Sequence, residues 1–211
     1  ARTDVHRRPH GTRAVQSRRY ADPESPDDLG RLDPEAIEAV RREAWPQARD
    51  RHELHEALTD VVALADDEVA PWREWLDALV AEGRALRFER DGAPGLWIAT
   101  ERLPLLLAAL ADGRAVAPVA PPGEFARPSG EPDEALREIV RGRLGALGPV
   151  TLAQVAQPIG LPEAGVEAAL LALQAEGFVM GGRFSAGEPK APMEWCERHL
   201  LARIHRYTLR Q

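Results

Sequence analysis

The sequence predicts a mainly α protein with short β-hairpins. Two observations indicate this. Apolar residues recur at helical spacing along most of residues 31–189, and twice a helical stretch stops at a Glu-Gly pair followed directly by a strand-like run. The two stops are Glu82-Gly83 and Glu176-Gly177. Because three helices followed by a two-stranded hairpin make a winged helix, the sequence predicts tandem winged-helix domains.

The first predicted domain spans residues 31–112. Asp33 can cap the first helix by accepting free backbone N–H groups, and Pro34 suits its first turn because its missing N–H costs nothing there. The stretch from Asp91 to Gly95 separates two strand-like runs and predicts a hairpin turn. The predicted elements are helices over 34–45, 51–65 and 70–82, strands over 85–89 and 96–99, and a closing helix over 101–111.

Residues 113–132 are predicted to form a Pro-rich linker, and residues 133–189 the second winged-helix domain. In the second domain Thr151 is expected to cap a helix, and Gly181-Gly182 has the composition of a two-residue hairpin turn. The predicted elements are helices over 133–147, 152–157 and 162–176, a short strand over 150–151, and hairpin strands over 178–180 and 183–185.

Residues 190–211 are predicted to form a basic C-terminal helix that leads to a next domain missing from this chain. On that helix Arg203, Arg206 and Arg210 lie three and four residues apart and would form one basic stripe. Cys196 would lie on the same helix beside Trp195, where it mainly packs.

Charge is distributed unevenly along the 211 residues. The net charge is −7, yet residues 1–20 carry six Arg against Asp4, and the tail 190–211 carries five Lys or Arg against two Glu. We expect residues 1–30 to be a linker or extended arm.

The composition also excludes two classes of protein. A single cysteine excludes an internal disulfide, and no apolar run approaches the ~20 residues that span a bilayer. The start at Ala1, without Met or a secretory signal, favours a piece of a cytoplasmic protein.

Basic and aromatic residues near the C-terminus are the candidate nucleic-acid contacts. The two predicted third helices are acidic, so we expect neither to read bases in a major groove. Arginines can instead hold phosphates, and aromatic rings such as Trp195 and Tyr207 can stack on unpaired bases. The alternative is that these aromatic residues pack in the core while the arginines pair with Glu194 and Glu197. The predicted nucleic-acid-binding residues are Arg183, Arg198, Arg203, Arg206, Tyr207 and Arg210.

Catalytic and metal motifs are scarce. His52 and His55 are three residues apart, whereas the zinc-protease helix needs two His four apart, so we predict no metal site there. His199 could lower the pKa of the Cys196 thiol, but packing is the favoured role of that cysteine. The chain has no Gly-rich phosphate loop with Lys-Ser/Thr, so we expect no nucleotide hydrolysis by this chain itself.

Three stretches carry a family resemblance, and together they extend over roughly residues 31–211. The segment from Glu194 to Arg210 closely resembles part of the large helicase-related (Lhr) proteins, as do residues 51–58 and 96–104 more weakly. The resemblance implies a fragment of the C-terminal extension of an ATP-driven, 3′ to 5′ single-stranded DNA translocase linked to DNA repair. ATP and Mg would belong to the parent motor domain, with no cofactor in this fragment.

The leading hypothesis from the sequence is therefore a non-catalytic tandem winged-helix module of such a helicase. Its expected partners are single-stranded or forked DNA and the rest of the helicase chain, with a homo-oligomer possible and no membrane. One alternative is a protein-interaction or oligomerisation module. Another is part of a winged-helix DNA glycosylase, since the extension is also similar to glycosylases that use a Gln-x-Gln pair. Gln154 and Gln157, three apart, come nearest to that pair, and we expect no base release from this chain alone.

Overall fold

The computed structural model describes residues 32–185 and 191–210. These residues form a mainly helical protein with two small antiparallel sheets, which confirms the predicted class of α-helices with short β-strands. The predicted arm over residues 1–30 lies outside the described residues. Within the described ranges no helix is both long enough and apolar enough to cross a membrane.

The first helix of the described residues is α1, Pro34–Ala44, as its capping signals predict. The carboxylate of Asp33 accepts the backbone N–H of Ala36 at 3.1 Å, and Pro34 occupies the first helical position. Ile37 and Val40 are buried one turn apart. The helix therefore forms because a capping side chain satisfies its first N–H groups and its apolar residues share one buried face.

We call residues 51–116 the first unit. Its four-stranded sheet has the strand order β1-β3-β2-β4. The central pair, β2 and β3, is an antiparallel hairpin in which Ala85 lies opposite Ala99, as the sequence predicts. Its elements are α2 (Arg51–Asp60), β1 (Leu64–Ala65), α3 (Asp66–Val69), α4 (Arg73–Ala81), β2 (Ala85–Glu89), β3 (Leu96–Ala99), α5 (Leu103–Ala109) and β4 (Arg114–Val116).

Residues 132–197 form the second unit, with a three-stranded sheet of order β5-β7-β6. Thr151 caps α7, and its hydroxyl accepts the backbone N–H of Gln154 at 3.3 Å. Its elements are α6 (Pro132–Leu147), β5 (Val150–Thr151), α7 (Leu152–Ala156), α8 (Glu163–Ala175), β6 (Val179–Gly182) and β7 (Glu194–Glu197). Helix α9, Arg198–Thr208, follows directly.

The order helix, strand, helix, helix, strand, strand thus occurs in both units. Gly83 and Gly177 both have positive φ, 71° and 74°, and each lies two residues before the first residue of the second strand of its unit. A left-handed residue ends the preceding helix and turns the chain toward the sheet, a conformation that glycine adopts at least cost. The repeated Glu-Gly pair therefore ends a helix and turns the chain toward the sheet in both units.

The predicted hairpin after α8 is wrong in its second strand and its turn. Residues 183–185 form no strand; β6 pairs with β7, so that Val179 lies opposite Glu197. Gly181 and Gly182 belong to β6, where a Cβ on Gly181 would lie 3.3 Å from the Trp195 ring and one on Gly182 would lie 2.7 Å from the Phe184 ring. These glycines admit two aromatic rings rather than turning the chain.

Other predicted elements have different ends in the structure. The predicted helix 51–65 stops at Asp60, and Leu64–Ala65 instead pairs with β3. The predicted linker 113–132 contains β4, which pairs with β2. The predicted tail helix begins only at Arg198, because residues 194–197 are a buried strand.

Packing is continuous between the two units. The largest apolar core joins Leu86 and Leu106 of the first unit to Ile139 and Leu170 of the second, and α5 packs against α6. A second core lies mainly in the first unit, among α2, α4 and β3, and also includes Ala146 of α6. A third joins α1 to β7 and α9. The predicted domain boundaries stay a prediction, but the apolar core crosses the boundary between 112 and 133.

Candidate functional site

A cleft of about 610 Å³ lies where the two units meet, between the α1–α2 connection, α2 and α6. We call it the junction cleft. Its floor includes Val62, Ala146 and the ring of Phe178. Its polar lining is mixed but mainly acidic. These polar residues are Gln47, Glu53, Glu56, Asp60, Arg102, Glu138 and Arg141.

Helix α2 carries three of these carboxylates because of where it begins. Asp50 caps the helix, accepting the backbone N–H groups of His52 at 2.7 Å and Glu53 at 2.9 Å. The hydrogen bond from the Glu53 backbone lowers the pKa of the Asp50 carboxyl. From this start, Glu53, Glu56 and Asp60 follow at spacings of three and four and so share one helix face. That face borders the cleft.

The acidic residues of the cleft differ in their partners. Glu53 is paired with Arg49 at 3.1 Å, and Glu138 is paired with Arg141 at 3.0 Å. Glu56 and Asp60 form no ion pair or side-chain hydrogen bond with any residue in the ranges 32–185 and 191–210. The cleft therefore holds two carboxylates, one helical turn apart, whose acceptor oxygens are available to a ligand.

The two arginines of the cleft are held in place by other groups. Arg102 Nε donates to the backbone carbonyl of Thr59 at 2.8 Å. Arg141 bonds Glu138 and Glu176, and its guanidinium lies 4.7 Å from the centroid of the Phe178 ring. Hydrogen bonds to these carboxylates raise the pKa of Arg141 against the opposing effect of burial, so it stays charged. Fixed guanidinium groups give the cleft walls a defined shape.

A second depression of about 450 Å³ adjoins the junction cleft and shares Gln47 and Ala146 with it. Its other lining residues include Arg42 and Trp45. Trp45 is half-buried, and its ring centroid lies 5.8 Å from the Arg143 guanidinium. We call the two depressions together the junction groove. One end of this groove is basic and aromatic, and the other is acidic.

The residues that form the acidic end destabilise the fold. Glu56 and Asp60 are like charges four residues apart, and Asp60 is the last residue of α2, where the helix dipole disfavours an anion. Val62, two residues on, has φ of 73°, an outlier for a β-branched side chain. Strained and self-repelling groups of this kind concentrate at functional sites. Sequence reasoning missed these residues, although the charge pattern at the helix end was a usable signal.

The predicted basic stripe is only partly exposed. Arg203 is paired with Glu43 of α1, and the Tyr207 hydroxyl donates to the same carboxylate at 3.1 Å. Arg206 and Arg210 are exposed and make no ion pair within the part of the chain that the structure describes. The stripe is thus divided between a helix–helix contact and the surface, and its role in binding nucleic acid stays a prediction.

The remaining predicted contacts lie elsewhere. Arg183 is exposed after β6, and its Nε donates to the carbonyl of Ala191 at 2.8 Å. Arg198 is half-buried at the start of α9, close to Gly177. The structure therefore does not bring the six predicted residues into one cluster among the described side chains.

The alternative pairing of these arginines with Glu194 and Glu197 is wrong, because both buried glutamates accept backbone N–H groups instead. Glu194 bonds the backbone of Phe184 at 2.7 Å and of Ser185 at 2.8 Å. Glu197 caps α9 through His199 at 2.9 Å and Leu200 at 2.8 Å. Both carboxylates are structural.

Cys196 lies on strand β7 and not on a helix as predicted. The thiol is fully buried, and burial first, then the nearby Glu197 charge, raises its pKa. A raised pKa keeps the sulfur protonated and unreactive. Trp195 is also buried in the core and does not face solvent for stacking.

The two histidines of α2 contact different residues and do not face a common site. His52 contacts Arg84 at 3.4 Å, whereas His55 contacts Glu101 at 3.3 Å. Across the described part of the chain, no three His, Cys, Asp or Glu side chains come together as a metal site.

The two glutamines that come nearest to a Gln-x-Gln pair do not form one. The side chain of Gln154 accepts the backbone N–H of Thr151 at 2.8 Å and so completes the cap of α7. Gln157 is exposed at the end of that helix.

Comparison with known proteins gives one family. The family model described as DNA glycosylase AlkZ-like matches residues 3–192. No curated protein matches the chain in sequence.

This match overturns the Lhr helicase interpretation, and the helicase function is withdrawn with it. The strongest stretch of the helicase resemblance, residues 194–210, lies beyond the matched range. The first residues of that stretch, from Glu194 to Glu197, are buried in the fold or cap a helix, and such residues report architecture more than activity. The match supports binding to DNA but supports neither a helicase chain nor an oligomer as partner. The glycosylase alternative is the better one.

Proposed function

We propose that this chain, which belongs to the AlkZ-like DNA glycosylase family, binds DNA and takes part in hydrolysing the bond between a damaged base and its deoxyribose. The observation that carries the proposal is the family match over residues 3–192. The junction groove supports it, because a groove of mixed charge between two units has the size and the polarity of a ligand site.

We further propose that both units are winged helices. The supporting observation is the shared order of helix, strand, helix, helix, strand, strand, with the last strand placed between the other two in the sheets β1-β3-β2 and β5-β7-β6. In this arrangement α4 and α8 would be the third helices. The exposed face of α8 carries Glu163 and Glu167 and no basic residue, which argues against direct base reading in a major groove.

Contact with the DNA backbone would come from exposed arginines. Arg206 and Arg210 on α9 are accessible and not paired with described carboxylates, and Arg183 lies at the surface after β6. Arginines that neutralise phosphates give affinity without sequence preference, and this affinity falls as salt rises. The proposed binding is therefore electrostatic and largely independent of sequence.

The chemistry would take place in the junction cleft. Cleavage of a glycosidic bond develops positive charge on the sugar, and a carboxylate nearby stabilises that charge. Glu56 and Asp60 are the cleft carboxylates without a partner among the described residues, so they are the candidates for this role. Hydrolysis of the bond consumes water, and the proposed reaction requires no nucleotide or metal cofactor.

DNA binding can be tested by comparing an Arg206→Ala/Arg210→Ala variant with the unchanged chain on single-stranded, duplex and forked DNA. If both arginines contact phosphates, affinity should fall on every DNA, and the slope of log K against log salt should become shallower by about 2. Arg73→Ala is the control for loss of a surface arginine, since Arg73 is exposed, pairs with Asp77 on its own helix and lies 5.2 Å from the centroid of the Trp97 ring. Equal affinity of the double variant and the control would rule out α9 as the DNA contact.

Base release needs a separate assay. Duplexes that carry alkylated, deaminated or oxidised bases are incubated with the chain, and abasic sites are then cleaved with alkali. We expect release from at least one class, lost in Glu56→Gln/Asp60→Asn. DNA binding without release from any class would contradict the catalytic part of the proposal.

A further inference from the structure

We propose that three arginines of the second unit, Arg137, Arg141 and Arg198, form a site for a phosphate group, and that the carboxylate of Glu176 occupies this site until phosphate displaces it. We call it the arginine site. The phosphate can be free or part of a DNA backbone, since both present the same kind of oxyanion to a guanidinium. Binding of phosphate there does not depend on the proposed glycosylase function.

Glu176 lies between two of these arginines at the end of α8. Helix α6 carries Arg137 and Arg141 one turn apart, so the two side chains share a face. Arg137 Nε lies 3.4 Å from one carboxylate oxygen of Glu176, and Arg141 donates to the other. The ring of Phe178 lies 4.7 Å from the Arg141 guanidinium and orients it. An anion with two oxygens therefore already sits between two guanidinium groups that solvent can reach.

Arg198 adds a third guanidinium and has no partner of its own among the described residues. It begins α9, and its backbone N–H donates to the carbonyl of Phe178 at 3.0 Å. A terminal nitrogen of its side chain lies 3.9 Å from the position of an ideal Cβ on Gly177, the residue after Glu176. No described carboxylate or carbonyl accepts a hydrogen bond from this side chain. Its charge is therefore available to an anion bound beside Glu176.

The site holds more donors than Glu176 satisfies. The Nε atoms of Arg137 and Arg198 are both buried and donate to no acceptor among the described residues; the 3.4 Å approach of Arg137 to Glu176 is not aligned as a hydrogen bond. Three other described arginines have such an Nε, but each of them bonds a described group through its terminal nitrogens, whereas Arg198 bonds none. Buried donors without an acceptor are rare, and a bound ion is one explanation of them.

Charge gives the same result. The three arginines face the carboxylates of Glu176 and Glu138, so positive charge remains in excess at the site. A phosphate group carries more charge and more acceptor oxygens than a carboxylate, and it can accept from several guanidinium groups at once. The site therefore suits phosphate better than it suits a glutamate side chain.

Glu176 is also a weakly held occupant. As the residue that ends α8, it places a negative charge at the C-terminal end of a helix, where the helix dipole disfavours an anion. Its side chain is 38% exposed, and ion pairs of exposed side chains stabilise a protein only slightly. Phosphate can therefore displace it at small cost to the fold.

The Glu-Gly pair of the first unit provides an internal comparison. Glu82 pairs with Arg51 at 3.1 Å, and Arg51 lies thirteen residues before the first strand of its unit, as Arg137 does. Arg84 lies 3.6 Å from the same carboxylate. Neither arginine of this first-unit cluster has a buried Nε without an acceptor among the described residues. The first unit thus repeats the ion pair without the unpartnered donors, and its residues serve as matched controls.

Binding of inorganic phosphate to the full chain tests the site without DNA. The titration is followed by phosphorus NMR at constant ionic strength, with chloride as the other anion. We expect Arg198→Gln to weaken binding about tenfold, because it removes charge-assisted hydrogen bonds without breaking a described ion pair. Glu176→Gln should tighten binding about fivefold, since the competing carboxylate becomes a neutral amide. Arg51→Gln, the control in the first unit, should leave the affinity unchanged.

Each result of this titration decides one step. Absence of phosphate binding by both the unchanged chain and Glu176→Gln overturns the site, and so does binding that Arg198→Gln leaves unaltered. An equal loss in Arg51→Gln shows a general effect of charge and also overturns it. Binding that needs Arg198 but does not tighten in Glu176→Gln overturns the displacement of Glu176. Melting temperatures in chloride buffer show that each variant is folded.

DNA distinguishes the two sources of phosphate. Dissociation constants for one fully paired duplex are measured over a salt series for Glu176→Gln and for Glu82→Gln, which removes the same charge at the corresponding position of the first unit. If a backbone phosphate enters the site, Glu176→Gln should bind the duplex more tightly than Glu82→Gln, and its slope of log K against log salt should be steeper by about 1. Equal affinities and slopes, with phosphate binding intact, assign the site to free phosphate. Absence of DNA binding by any of these chains at low salt overturns the proposed function and leaves the arginine site standing.

Discussion

Arg143 on α6 is a charged side chain with no exposed surface. Its two terminal nitrogens reach the carboxylate of Glu68, at 2.8 and 2.7 Å, and one of them also approaches the carbonyl of Ala63 at 3.3 Å. Glu68 in turn accepts the backbone N–H of Ala65 at 2.8 Å. One ion pair therefore ties the second unit to the β1–α3 corner of the first. A two-pronged contact of this geometry suits arginine and not lysine.

Removing Arg143 should be costly because Glu68 would keep its charge without a partner. For Arg143→Met we expect a loss of about 3 kcal/mol in the free energy of unfolding, the range for breaking a buried pair. Urea unfolding would measure it. Arg143→Met/Glu68→Gln should recover at least about 1 kcal/mol, since no buried charge remains and the amide oxygen can still accept from Ala65. A double variant less stable than the single one would contradict this account.

At the scale of elements, the locally paired hairpin of β2 and β3 was predictable, and so was the short strand β5, whereas β1, β4 and β7, which pair with distant segments, were not. The hairpin of β2 and β3 is joined by a short glycine-containing turn, and its bounds match the prediction. Strand β7 pairs with β5, more than forty residues earlier, and all four of its residues are buried. Its sequence therefore shows no alternation of polar and apolar residues that would distinguish this strand from helix α9, which follows it.

The junction groove was missed for a related reason. Trp45, Gln47 and Asp60 come from helix ends and connections, where apolar periodicity carries no information. They meet because α6 passes close to the end of α2. An ideal Cβ on Gly142 would lie 2.6 Å from the carbonyl oxygen of Asp60 and 2.8 Å from the Val62 side chain. Only tertiary contact reveals that proximity.

Helix α6 offers a matched pair of glycines to test this close approach. Gly142→Ala should destabilise the protein by about 1–2 kcal/mol, because the overlap with the Asp60 backbone outweighs the gain in helix propensity. Gly145→Ala, one turn on and facing open space, should stabilise it by about 0.5–1 kcal/mol. Thermal unfolding followed by circular dichroism would give both values. Two changes of the same sign would show that α6 does not contact the α2 corner as described.

For the molecule as a whole, the groove depends on the two units keeping one arrangement. Its walls come from α1 and α2 on one side and from α6 on the other. The contacts that cross between the units include the shared apolar core, the Arg143–Glu68 pair and a hydrogen bond from Arg90 to the carbonyl of Gly160. Tandem domains joined by a flexible linker would instead move independently. A site between them would then have no fixed shape.

A common core should make the two units unfold together. Burial of the faces of α5 and α6 against each other would be lost if either unit opened alone, and burial of each large apolar side chain stabilises by about 1.5–3 kcal/mol. We therefore expect one transition in urea, with coincident curves from far-ultraviolet circular dichroism and tryptophan fluorescence. Four of the five tryptophans lie in residues 45–97, so fluorescence mainly reports the first half of the chain, whereas circular dichroism reports helices of both units.

Native-state hydrogen exchange measures the stability of each unit separately, and the slowest amides of α4 and α8 should exchange with the same free energy of opening. Separate transitions, or a difference of more than about 2 kcal/mol between α4 and α8, would mean that the units are independent and that the groove between them is not a preformed site.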